Sequence, residues 1–214
     1  MKKTRTISIL QWLTGLLAIG VFVFLLLHHK LQLWIVVFGI SALLSTLLGR
    51  FYCSWICPMN TSFKIIDFIY RKLGIRRLNP PGFLSNRFVR IGVLILFVAS
   101  MVLLKRFGIK INVLLYMTVF SILLTLIFKE VFWHRHLCPF GTILSFTSRP
   151  AFYSMKIGEE ECIECGKCQI VCPTGSIATL ENGKRRNTAN ECLLCGNCTT
   201  VCPVSVCNFQ WKGK

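Results

Sequence analysis

The sequence predicts a membrane α-helical protein, four transmembrane helices in two repeated hairpins, followed by a small α+β domain. Three observations predict it. The 214-residue chain has a mean hydropathy of +0.61, high for a soluble domain. Four long stretches carry almost no charge. Eight of the twelve cysteines fall in two evenly spaced runs near the C-terminal end.

A spanning helix needs about 17–25 mostly apolar residues. Residues 7–27, 31–48 and 111–128 contain no Asp, Glu, Lys or Arg, and 88–104 contains only Arg90. Arg90 and Lys105 are expected to snorkel to the two interfaces and lengthen the third segment. The first segment exceeds the roughly 7–15 apolar residues of a signal peptide. Only "LLLHHKLQL" follows it, with no small-residue cleavage site, so it reads as a retained helix.

The formal charge of +17 would suit a nucleic-acid binder, but its distribution excludes that reading. From Lys156 onward there are seven basic and six acidic residues. The excess lies before that point, at the ends of apolar segments. Lys2, Lys3 and Arg5 precede the first segment, and Arg50, Lys64, Arg71, Lys72, Arg76, Arg77 and Arg87 lie between the second and third. By the positive-inside rule this places the N-terminus, the central loop and the tail on the cytoplasmic face of a bacterial or archaeal membrane. Cysteines on a reducing face are metal ligands more often than disulfides.

Two domains are expected, 1–150 and 151–214, with Pro150 discouraging helix at Arg149. Each contains a duplication. In the first, "FYCSWICPMNTSF" (51–63) aligns with "FWHRHLCPFGTIL" (132–144) at an offset of 81. Each block follows the second helix of a hairpin, so both emerge on one side. Residues 63–77 mix apolar and basic positions and suit either a helix at the anionic interface or a solvated linker. In the second domain, "CIECGKCQIVCP" begins at 162 and "CLLCGNCTTVCP" at 192.

Each tail run is C-x2-C-x2-C-x3-C-P, the bacterial spacing for a pair of [4Fe–4S] clusters, in which the fourth Cys of each run ligates the other cluster. Cys162, Cys165, Cys168 and Cys202 are thus expected to hold one cluster, and Cys192, Cys195, Cys198 and Cys172 the other. Eight thiols could also form two zinc sites. Two repeated runs, each closed by Pro, favour clusters. Cys207 lies outside both runs and reads as a packed free thiol.

In the first domain Cys53 and Cys57 lie one helical turn apart. If the two blocks pack about a pseudo-twofold, Cys53, Cys57, His134 and Cys138 meet at the membrane surface. Two readings stand for them: a third iron–sulfur or metal site, since imidazole replaces thiolate on iron in Rieske centres, or two turns shaped by small thiols and prolines.

The tail resembles the bacterial dicluster ferredoxins over essentially its whole length. The whole chain resembles the NapH/MauN type of ferredoxin-like membrane protein. It is also similar to the membrane core and polyferredoxin end of NosR-type proteins. "YCSWICPMN" fits the C-x3-C-P block of that family, whereas "HRHLCPFG" has His134 where the family has Cys. The resemblance implies electron transfer between a membrane quinone pool and a redox protein partner. The expected function is a membrane-bound electron-transfer subunit without a complete active site of its own. The alternative class is a redox sensor or a maturation factor for another metalloenzyme.

Overall fold

The structure, a computed structural model, describes residues 2–80, 87–108 and 112–211. Four apolar helices form the frame of the first part. Helix α1 (Lys2–Leu27) turns through residues 28–32 into α2 (Leu33–Leu48). Helix α5 (Arg87–Arg106) and helix α6 (Val113–Ile127) are the apolar helices of the second repeat. The segments predicted as spans are thus all helical. Residues 6–27 and 88–106 are long and apolar enough to cross a membrane. Helices α2 and α6 have 16 and 15 residues. At 1.5 Å per residue these reach about 22–24 Å, against a hydrocarbon core of about 30 Å. Local chemistry shortens both relative to their uncharged runs. Residues 31 and 32 close the first turn, and α2 ends at Gly49, whose φ is +68°. Helix α6 starts after Asn112 and stops where Phe128 turns extended.

The outer faces remain apolar. Leu17, Leu27, Leu43, Leu96, Val102 and Leu123 are all exposed.

Each hairpin leads into the same motif. After α2 come the short helix α3 (Phe51–Trp55), Cys57 and α4 (Pro58–Leu73). After α6 come α7 (Glu130–Phe132), a π-turn at Trp133–Leu137, Cys138 and α8 (Pro139–Thr147). The expected repeat extends to backbone detail. Cys57 has φ −66° and ψ 118°, and Cys138 has −74° and 109°. Each Cys amide donates to the carbonyl five residues back, Tyr52 and Trp133, at 2.9 Å. Each following Pro opens a helix, where its missing N–H costs nothing. The hydroxyls of Thr61 and Thr142 donate to the carbonyls of Cys57 and Cys138 at 3.3 and 3.0 Å.

Residues 63–77 are not a linker. Helix α4 covers most of them and packs between α1 and α6, and Gly74 ends it at φ +70°. At the α1 crossing a Cβ on Gly15 would sit 2.6 Å from Thr61 Oγ1, so only Gly allows this approach.

The tail holds two two-stranded antiparallel sheets. Strand β1 (Tyr153–Ile157) pairs with β4 (Cys207–Trp211), placing Ile157 opposite Cys207. Strand β2 (Ile177–Thr179) pairs with β3 (Arg185–Asn187). Two short helices, α9 (Lys167–Ile170) and α10 (Asn197–Val201), pack on each other between the sheets' loops. The tail repeat shows in its strained positions. Glu164 and Leu194, Gly166 and Gly196, and Gly175 and Ser205 all have positive φ at matching places.

The tail docks on the two blocks. Leu193 is buried among Phe38, Tyr52, Cys53 and Leu144. The Gln11 amide donates to the Leu194 carbonyl at 3.3 Å. Beneath lies an Arg–Glu–Arg group: Glu191 accepts from Arg50 Nη1 at 2.8 Å and Arg90 Nη1 at 2.6 Å. Arg90 also donates from Nε to Thr142 Oγ1 at 3.0 Å and from Nη2 to the Gly141 carbonyl at 3.2 Å. Arg90 therefore does not snorkel to lipid headgroups as expected. A carboxylate from the tail captures it first.

Candidate metal centres

The two tail runs wrap two small cavities of about 20 Å³ each. Cys192, Cys195, Cys198 and Cys172 all line one. Cys162, Cys165, Cys168 and Cys202 all line the other. The fourth thiol of each set comes from the opposite run, because α9 and α10 carry Cys172 and Cys202 across to the neighbouring loop. The remaining walls are largely apolar. Met155, Ile177, Leu193 and Phe209 enclose the first, and Ile157, Val204 and Val206 the second.

The donor chemistry fits a cubane. Burial pushes the Cys195 thiol up to about 12, with Cys192 adding to the rise. Burial likewise pushes Cys168 up to about 11. Crowded, buried thiols resist ionisation until a positive centre collects them as thiolates. Backbone amides already point at the sulfurs. Ser176 N–H donates to Cys172 Sγ at 3.3 Å, and Leu194 N–H to Cys192 Sγ at 3.5 Å. Such bonds tune cluster potentials. Among the described residues no three His, Cys, Asp or Glu side chains converge tightly enough to hold a single metal ion. A cubane spreads its four thiolates over separate corners, so its cradle need not converge in that way.

Cys207 is buried on β4, as a packed thiol should be. Its position is more specific than the sequence indicated. It lines the Cys162 cavity, shares a hydrogen bond with Cys198 and reaches Cys202. It therefore stands between the two sets. Cys207→Ser is expected to keep the full iron content while changing the reduced spectrum, and iron analysis with EPR checks both. Loss of iron would make Cys207 a ligand.

In the two Cys-Pro blocks the structure brings three of the four expected residues within electrostatic reach. On top of burial, Cys53 and Cys138 raise the pKa of Cys57, and Cys53 raises that of Cys138, which is pushed up to about 11. Arg50 acts in the opposite sense on Cys53 and Cys138. His134 is engaged elsewhere. Its Nε2 lies 3.1 Å from Asn60 Oδ1 and its ring packs edge-on against Phe63 at 5.4 Å. Burial, then Arg50 and Lys64, lowers its pKa to about 3, so the ring is neutral. The offset of 81 explains the exchange: His134 matches Cys53, and its partner Asn60 matches Gly141. Arg50 uses the room at Gly141, where a Cβ would lie 2.7 Å from its Nη2.

Sequence reasoning passed over Arg50. It is fully buried, and its Nε and Nη2 lack hydrogen-bond partners. A lone Arg after an apolar run reads as an interfacial anchor, and no local signal distinguishes the two.

A 4Fe-4S binding domain model matches residues 31–76 and 113–158, once on each repeat of the helical part. A 4Fe-4S dicluster domain model matches residues 154–203. The ferredoxin-type protein NapH of Haemophilus influenzae is 29% identical over 65% of this chain and 53% of its own length. The methylamine utilization ferredoxin-type protein MauN of Methylorubrum extorquens is 29% identical over 61% of this chain and 50% of its own. An uncharacterized protein of Methanocaldococcus jannaschii is 26% identical over 63% and 55%. The chain spans about half to under two-thirds of the length of the curated relatives it matches. No solved structure matches it. Repeated Cys-Pro blocks, a paired-run tail and these relatives agree: the chain is similar to the ferredoxin-type proteins of the NapH/MauN type and carries 4Fe-4S domains in both of its parts.

Proposed function

We propose that the chain is a four-span membrane subunit that passes single electrons between a quinone pool and a redox protein through two [4Fe–4S] clusters. The observation that carries this is the pair of equal cavities, each walled by three thiols of one run and one of the other. When bound, the clusters supply one-electron chemistry. The protein supplies the thiolates, the amide bonds to them and the apolar walls that exclude water.

The order of the two sites follows from the docking. The Cys192 loop is the one pressed on the helical part, through Glu191, Leu193 and Leu194. Cys165, in the other set, is exposed. Electrons exchanged at the membrane thus meet the Cys192 set first, and a soluble partner meets the Cys165 set. Helices α2 and α6 complete the four spans, with headgroup-level chain making up their missing length. The tail then lies in the cytoplasm.

The expected analysis is about eight Fe and eight acid-labile sulfides per chain from the two tail sites, and more where a third centre is filled. Zinc without labile sulfide would end the proposal. The reading extends to Cys53, Cys57 and Cys138 as a third centre, favoured by the unpartnered Arg50 donors beside them, which thiolates would satisfy. There Cys57→Ser should alter the reduced EPR spectrum, and a spectrum identical to wild type removes the third centre.

A further inference from the structure

The two thiol cavities differ in one charge. Among the described residues, no charged side chain lines the inner cavity, that of the Cys192 set. The outer cavity, that of the Cys165 set, has Arg185 in its wall. Strand β3 puts it there, since alternate residues of a strand face opposite ways. Arg186 faces solvent and pairs with Glu159, while Asn187 turns inward and donates to the Met155 carbonyl at 2.7 Å. Arg185 shares the inward side. Its guanidinium donates to the Gly183 carbonyl and to the Glu164 carbonyl, the latter at 3.3 Å. Its Nε is buried and has no hydrogen-bond partner. Among the described residues no carboxylate lies within ion-pair distance of it. The neighbouring Lys184 is offset, because Glu164 lies 3.6 Å from its Nζ. Glu160 and Glu161 are exposed, where salt and water screen them.

We propose that Arg185 holds the outer centre at the higher potential, so that electrons run from the Cys192 set to the Cys165 set. The inference rests on the electron-transfer reading above and gives it a direction. Four thiolates make each centre anionic, and reduction adds one more negative charge. A guanidinium without a counter-charge beside one centre stabilises its reduced form, most strongly where water is scarce. Solvent at the exposed Cys165 acts in the same sense, since hydration favours the more highly charged state.

The inner set receives dipoles in place of a charge. Ser176 N–H donates to Cys172 Sγ, and the Thr174 and Ser176 hydroxyls lie 3.6 and 3.4 Å from it. A charged donor is about twice as strong as a neutral one. Other charges act on the inner set only from outside its lining, and the interaction falls with distance. Lys64 reaches Cys195 in this way, with the partly ionised Glu130 opposing it. The Arg50–Glu191–Arg90 group keeps one net positive charge, but its guanidiniums turn toward Cys53 and the Gly141 carbonyl. The step moves one electron: the inner centre is oxidised, the outer one is reduced, and no bond or proton changes place.

The test is a potentiometric titration of the full chain in detergent, followed by EPR. Wild type should show two one-electron waves from the tail. Cys202→Ala, which empties the outer site, should delete the upper wave and keep the lower. Arg185→Gln should shift the one-electron equilibrium of the upper wave about tenfold toward the oxidised form, about 59 mV, with iron content unchanged. Arg185→Lys keeps the charge and should restore most of that shift. Loss of the lower wave in Cys202→Ala, an unmoved upper wave in Arg185→Gln, or equal shifts in the Gln and Lys variants overturns the proposal. The Cys202→Ala comparison decides the order of the waves even where Arg185→Gln fails to assemble. If photoreduced deazaflavin puts no electron into wild-type protein, the underlying electron-transfer reading fails instead.

Discussion

Glu191→Gln is expected to be the most damaging single substitution outside the cysteines. It leaves two guanidinium groups, Arg50 fully buried and Arg90 mostly so, without their counter-charge. Breaking a buried ion group in this way costs about 3–5 kcal/mol, against the usual marginal stability of about 5–15 kcal/mol. The damage should show first as release of the tail, because Glu191 is the carboxylate that crosses from one part to the other. Thermal unfolding in detergent, followed together with protease access to residues 148–156, measures it. A combined Arg50→Met, Arg90→Met, Glu191→Leu change should recover part of the loss, since apolar replacement of a whole buried ion group is often neutral. A loss below about 1 kcal/mol, the level of an exposed ion pair, would show that the group is solvated.

The second large effect concerns the exchanged ligands. Cys202→Ala should remove about four Fe per chain and be equivalent to Cys162→Ala, although the two residues sit in different runs. Combining them should cost no further iron. Combining Cys202→Ala with Cys192→Ala should empty both sites. If Cys162→Ala and Cys202→Ala instead add, each run keeps its own cluster and the cross-pairing is wrong. Iron and sulfide analysis of the two double variants decides between them.

Much of this architecture was legible from spacing. Four uncharged stretches became four helices, and offsets of 81 and 30 became backbone repeats, because chain periodicity is local information. The grouping of the eight tail thiols around two cavities was legible for the same reason: it is written in x2 and x3 intervals. What escaped was long-range. Nothing near Arg50 or Arg90 announces Glu191, which lies 141 and 101 residues away. The Asn60 partner of His134 is visible only once the two repeats face each other. Helix lengths were overread because an uncharged run includes its turn residues.

The exposure difference between the two thiol sets has a consequence for durability. Leu193 and the helical part shield the Cys192 set, whereas Cys165 forms an open corner of the other. Dissolved oxygen and chelators reach that corner without crossing protein. The Cys165 corner is therefore where oxidants and chelators from solution first meet the two thiol sets.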